Sequence, residues 1–159
     1  MWNTTENNHR IMLFEREQYL KQLITAEDNG MIKIITGIRR CGKSFLLFNI
    51  YKQNLLSRGM PANHIIEVNF EDRRNKKLRD PDALLKYIDS QIKGSERYFI
   101  LLDEIQLVSE FEDVLNSYLN MANVNVYVTG SNAKFLSKDV ITEFRGRGWE
   151  IRVRPLSFA

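Results

Sequence analysis

Apolar residues recur along this chain with two alternating periods. Leu20, Leu23 and Ile24 share one face at helical spacing, which predicts a helix over residues 14–25 that Asn29-Gly30 terminates. The β-branched run Ile32-Lys33-Ile34-Ile35-Thr36 reads as a first strand, residues 45–56 as a helix, and Arg58-Gly59-Met60-Pro61 as the break after it. Residues 64–70 read as a second strand, followed by a highly charged connection over 71–80. Asp80-Pro81-Asp82 offers an N-cap with proline at N1, opening a helix with Leu84, Leu85, Ile88 and Ile92 inward that Lys93-Gly94-Ser95 closes. Tyr98-Phe99-Ile100-Leu101-Leu102 is the most apolar run, as expected of a strand buried on both faces. Ser109 and Glu112 read as a capping box ahead of an amphipathic helix through Phe111, Val114, Leu115, Tyr118, Leu119 and Ala122. Residues 124–129 give a fourth strand and 133–144 a helix or loop. Residues 149–153 give a fifth strand, where Glu150, Arg152 and Arg154 alternate outward as on a sheet edge.

Strands alternating with helices predict an α/β protein: a three-layer sandwich around a parallel sheet. Residues 1–13 are expected to be a flexible N-terminal arm and 14–159 one domain, a size that suits a single core. Apolar content of 43 % and charged content of 27 % fit a globular chain, and the apolar runs are too short to span a membrane. Residues 1–9 have neither a basic n-region nor an apolar h-region, and a single cysteine fits a reducing compartment, so the expected location is cytoplasmic. One cysteine and two histidines argue against structural zinc. A net charge of +3 does not by itself imply nucleic acid. The run over residues 72–79 is the best basic patch; it reads as a solvated loop, and contact with a nucleic-acid backbone is the weakly supported alternative.

Chemistry is concentrated in Gly37-Ile38-Arg39-Arg40-Cys41-Gly42-Lys43-Ser44, a G-x-x-x-x-G-K-S phosphate-binding loop between a strand and a helix that opens with Phe45. Its glycines let main-chain N–H groups curl around a phosphate chain, Lys43 reaches the outer phosphates, and Ser44 takes a place on Mg²⁺. Two further polar groups fall at the carboxyl ends of strands: Asp103-Glu104 after the third, and Thr129-Gly130-Ser131-Asn132 after the fourth. Ligands of such sheets bind at that end. Asp103 fits the carboxylate that holds Mg²⁺, Glu104 a general base that orients water, and Ser131, with Thr129 or Asn132 in reserve, a group that senses the γ-phosphate.

The loop, with Leu101-Leu102-Asp103-Glu104-Ile105-Gln106, Val128-Thr129-Gly130-Ser131, Gly146-Arg147, Arg154-Pro155-Leu156-Ser157-Phe158 and the early Phe14-Glu15-Arg16, resembles a family of prokaryotic AAA-type P-loop ATPases with a G-x-R-R-x-G-K-[ST] loop. Ile38 stands where that family often has proline and Cys41 where a small apolar residue is usual; neither removes a phosphate contact. The resemblance implies sheet order 5-1-4-3-2, with ATP and Mg²⁺ as cofactors and residues 37–45 around the nucleotide. It also implies self-association in which Arg147 completes a neighbour's site, and a C-terminal domain of unknown function, which makes this chain a fragment of a longer protein. That order makes strand four central, yet Asn125 and Tyr127 alternate along it, a conflict the sequence leaves open. The expected function is a Mg²⁺-dependent ATPase core that drives a conformational switch in attached domains. The alternatives are a non-hydrolysing nucleotide-binding interaction module and a P-loop small-molecule kinase.

Overall fold

A strand with no solvent-facing side must lie between neighbouring strands and between two helical layers. Ile32–Thr36 (β1), Tyr98–Asp103 (β3) and Val124–Gly130 (β4) are buried at every position. The computed structural model of the chain, which describes residues 4–38, 42–131 and 147–154, places these three strands at the centre of one sheet. Ile65–Asn69 (β2) and Gly148–Arg152 (β5) form its edges, in the order β2-β3-β4-β1-β5, and every pairing is parallel. This is the expected 5-1-4-3-2 arrangement read from the opposite edge.

Alternation along the strands sends their side chains into two cores. On one face Leu23 of α1 (Thr4–Thr25) and Leu46, Leu47, Tyr51 and Leu55 pack against Ile35, Phe99, Leu101, Tyr127 and Ile151. The latter four helical residues belong to one helical stretch: α2 (Lys43–Phe45), a π-helical turn (Leu46–Tyr51) and α3 (Lys52–Ser57). On the other face Leu84 and Ile88 of α4 (Pro81–Asp89) and Phe111 and Val114 of α5 (Phe111–Asn116) cover Ile34, Ile66, Ile100, Leu102, Val126 and Val128. Asp80 caps α4 as its sequence predicts, its Oδ2 accepting from the Ala83 N–H at 2.9 Å.

Several details depart from the sequence reading. The first helix is described over Thr4–Thr25, longer than the 14–25 predicted, and Ile11, Leu13 and Phe14 on it are exposed. The Ser109–Glu112 capping box does not form. Glu110 is the N-cap, with φ of 53° and no side-chain cap, and the Ser109 N–H is drawn off to the Arg79 carbonyl at 3.1 Å. Beyond Asn116 the chain tightens into three-residue turns, with Tyr118 and Leu119 N–H groups bonding three residues back. The charged connection is a 3₁₀ helix over Arg73–Arg79, fixed by the Asp72 cap and by Arg79 donating to the Phe70 carbonyl. On β5, Ile151 is buried and Arg152 exposed as expected, but Trp149 is 45 % exposed at the strand's start.

The polar residues of central β4 are buried and paired. Tyr127 donates its hydroxyl to the Leu23 carbonyl at 2.7 Å and accepts from the Tyr51 hydroxyl at 2.9 Å. Asn125 Oδ1 accepts from the Asp28 N–H at 2.7 Å and from Lys33 Nζ at 2.9 Å, while its Nδ2 donates to Asp28 at 2.8 Å. Lys33, hidden inside an apolar run, is 1 % exposed, and its ammonium lies 5.3 Å from the Tyr127 ring centre. Burial lowers its pKa to about 8 against the pull of Asp28 and Glu27. Between about 8 and 10.5 the unfolded chain therefore holds a proton that the folded protein has released. Stability must rise with pH across that window. In Lys33→Met, Asn125 keeps Asp28 as a partner and this dependence disappears. Chemical denaturation from pH 7 to 10.5 should show wild type gaining on Lys33→Met by at most about 3 kcal/mol; parallel curves would refute a depressed Lys33.

Candidate functional site

Register dictates what meets at the carboxyl end of the sheet. Leu102 pairs with Val128, so the next positions, Asp103 and Thr129, come together on one face. Thr129 Oγ1 donates to Asp103 Oδ1 at 2.6 Å and accepts the Glu104 N–H at 2.9 Å. Ser44, at the start of the helix after the phosphate loop, donates its hydroxyl to Asp103 Oδ2 at 2.7 Å. Both carboxylate oxygens of a residue 1 % exposed are thereby satisfied from two distant segments. Burial pushes the Asp103 carboxyl above its ordinary range; the Thr129 and Ser44 hydrogen bonds oppose that, Glu104 adds to it and Lys43 opposes it.

Glu104 turns sharply out of the strand at φ 59° and ψ 53°, a left-handed conformation that costs a residue with a side chain ~1–3 kcal/mol. Its carboxylate, 7 % exposed as a residue, accepts from Ser131 Oγ at 3.1 and 2.9 Å and from the Gln106 amide. On the loop, Gly42 lies at φ 91°, where a side chain would be strained. Lys43 is 5 % exposed and its ammonium donates to the Gly37 and Ile38 carbonyls at 2.8 and 3.0 Å, spanning the loop's entry. Phe45 is partly exposed, with the Arg16 guanidinium 4.9 Å from its ring centre.

The structure thus brings together Gly37, Ile38, Gly42, Lys43, Ser44, Asp103, Glu104, Thr129 and Ser131. Arg39, Arg40, Cys41 and Asn132 lie outside the described residues. Arg147 stands apart: its carbonyl accepts the Ile32 N–H at 2.8 Å, at the amino end of β1 and therefore the opposite end of the sheet. Gln106 carries no role in the sequence reading because nothing in its spacing shows contact with Glu104. Thr129 stood only in reserve, although the alignment of strand ends pairs it with Asp103.

The donor set fits Mg²⁺ with a triphosphate. A hydroxyl and a carboxylate oxygen lie adjacent, and among the described residues no cluster of three or more His, Cys, Asp or Glu could hold a metal unaided. Mg²⁺ characteristically takes one or two protein oxygens and fills its octahedron with water and phosphate.

The sequence pattern that defines a family described as an AAA domain matches residues 29–159. The chain belongs to the AAA domain family. A protein of Haemophilus influenzae, itself uncharacterized, is 37 % identical over 147 residues, covering 92 % of this chain and 36 % of that relative. The uncharacterized protein MJ1544 of Methanocaldococcus jannaschii is 37 % identical over 129 residues, covering 80 % and 27 %. The chain therefore spans about a third of the length of these relatives or less. Among solved structures, a chain of Drosophila ORC bound to DNA superposes with a TM-score of 0.58 at 12 % identity, covering 94 % of this chain and 96 % of that one. At that identity the likeness is one of fold. Among the described residues no helix is long and apolar enough to cross a membrane.

Thr129→Val keeps the shape and deletes both hydrogen bonds, leaving a buried N–H and a buried carboxylate oxygen without partners. It should lower unfolding free energy by ~2–4 kcal/mol, whereas Thr129→Ser should lose under ~1.5 kcal/mol. Urea denaturation separates the two; equal losses would mean the hydroxyl is dispensable.

Proposed function

We propose that this AAA domain binds and hydrolyses ATP and couples hydrolysis to a conformational switch in the remainder of a longer protein. The observation that carries the reading is the hydrogen-bonded chain Ser44–Asp103–Thr129–Glu104 laid beside the phosphate loop. Residues 37–45 would hold the nucleotide, with loop N–H groups on the phosphates and Lys43 exchanging its carbonyl partners for phosphate oxygens. Ser44 and Asp103 would hold Mg²⁺, which when bound neutralises charge on the transferring phosphoryl group. Glu104 accepts a proton from water aimed at the γ-phosphate, and Ser131 links that carboxylate to the end of β4. A second carboxylate next to the metal aspartate favours water over an alcohol acceptor, which separates this reading from a kinase.

Arg147 is assigned to the site of a neighbouring copy, where its guanidinium would meet the transferring phosphoryl group. The relatives' greater length supports attached domains as the target of the switch.

Phosphate release and nucleotide binding by the full-length protein test the core of this reading. Glu104→Gln should bind ATP as wild type does and lose at least about 100-fold in turnover, while Lys43→Ala should lose binding itself. ATP binding by wild type without turnover would make the domain a binding module. A second experiment addresses the shared site: Arg147→Ala and Glu104→Gln, each inactive alone, should recover activity on mixing, because one mixed interface then has both groups. No recovery at concentrations where the copies associate would place Arg147 outside the chemistry.

A further inference from the structure

Glu104 is placed by its backbone and aimed by its neighbours. The left-handed turn at Glu104 ends β3 and starts a short 3₁₀ turn, Ile105–Leu107, in which the Leu107 N–H returns to the Glu104 carbonyl at 3.1 Å. Ile105 is fully buried in the core and pins that turn. The Glu104 side chain is therefore brought alongside Gln106, which donates from Nε2 to Glu104 Oε2. Amide orientation follows from chemistry: a carboxylate only accepts, so the NH₂ group must face it. The carbonyl Oε1 of Gln106 is then turned elsewhere, buried and with no hydrogen-bond partner among the described residues. From the other side Ser131 donates to both Glu104 oxygens. Two protein donors leave part of the carboxylate's lone-pair capacity for water.

Resting on the hydrolysis proposed above, we infer that Gln106 is a positioning residue for the attacking water. Its N–H, with the Ser131 hydroxyl, holds the Glu104 carboxylate in the orientation in which a free lone pair takes the water's proton. A carboxylate held from two sides takes that proton in one geometry, which leaves the water's oxygen lone pair directed at the γ-phosphorus. In the step itself the water oxygen forms the new bond to phosphorus and its proton passes to Glu104. The bond from phosphorus to the β–γ bridging oxygen breaks, with its electron pair leaving on ADP. The Gln106 amide is unchanged throughout.

The test uses Gln106→Leu and Gln106→Glu in the full-length protein with Mg²⁺. Gln106→Leu should lower kcat about 10- to 100-fold with KM for ATP and ADP affinity unchanged, and should trap ADP with aluminium fluoride at least tenfold more weakly than wild type. Gln106→Glu keeps an acceptor oxygen but removes the amide donor to Glu104, and should lower kcat to the same extent with ADP affinity unchanged. Unchanged kcat and unchanged trapping in Gln106→Leu would overturn the inference, as would faster turnover, which would make Gln106 a restraint on Glu104. If wild type does not turn over at all, the hydrolysis reading fails by itself, and aluminium fluoride trapping still decides Gln106. Weaker trapping with intact ADP binding supports it, and equal trapping overturns it.

Discussion

One hydrogen bond sets the geometry at the carboxyl end of the sheet: Thr129 Oγ1 donating to Asp103 Oδ1. A carboxylate at the end of a central strand has no room to reach solvent, and ionised it requires donors on both oxygens. Thr129 supplies one from β4, and Ser44 supplies the other from the helix that follows the phosphate loop. Segments far apart in sequence are thus locked by the needs of one side chain. The same hydroxyl accepts the Glu104 N–H, so the bend that carries Glu104 out of the strand is held by the group that satisfies Asp103. Strain at Glu104 and satisfaction of Asp103 are two consequences of one arrangement.

The alternation along β4 takes its meaning from this constraint. Asn125, Tyr127 and Thr129 project to the same face, and Ser131 follows just past the strand's end. They form a polar rib that runs through the sheet's interior, partnered in turn by Asp28 and Lys33, by Tyr51 and Leu23, by Asp103 and Glu104, and by Glu104 again. A central strand is expected to be apolar because buried polar groups are costly, but that cost applies only to unpaired ones. The rib ties the buried lysine at the amino end to the carboxylates at the carboxyl end without an unpaired buried side-chain nitrogen or oxygen on β4.

What the sequence revealed and what it concealed divide along this line. The strand runs, the loop and the Asp80 cap are local signals, and each is a matter of residues adjacent in the chain. Sheet order followed from resemblance to a family, not from periodicity. The burial of Lys33 was invisible because a lysine inside an apolar run has the same spelling whether it snorkels or is paired with Asn125, 92 positions away. The failed capping box at Ser109 shows the converse: a local signal lost to a tertiary hydrogen bond with Arg79. Gln106 belongs to the run that carries the family resemblance, but its contact with Glu104 depends on a left-handed turn, which no side-chain pattern at a glutamate announces.

Parallel topology also constrains where an arginine can act. Every strand here points its carboxyl end toward the phosphate loop, so a residue that opens a strand lies at the far end. Arg147 immediately precedes β5, and its carbonyl is bonded to the first residue of β1. The length of β1, at ~3.3 Å per residue, then separates it from the loop by roughly 16 Å, beyond the reach of an arginine side chain. Within one copy the Lys43 ammonium therefore lies at the loop and Arg147 at the far end of β1. A sheet that gathers Asp103 and Glu104 at one end and opens β5 at the other keeps Arg147 a strand's length from those carboxylates, so the role proposed for Arg147 requires a second copy.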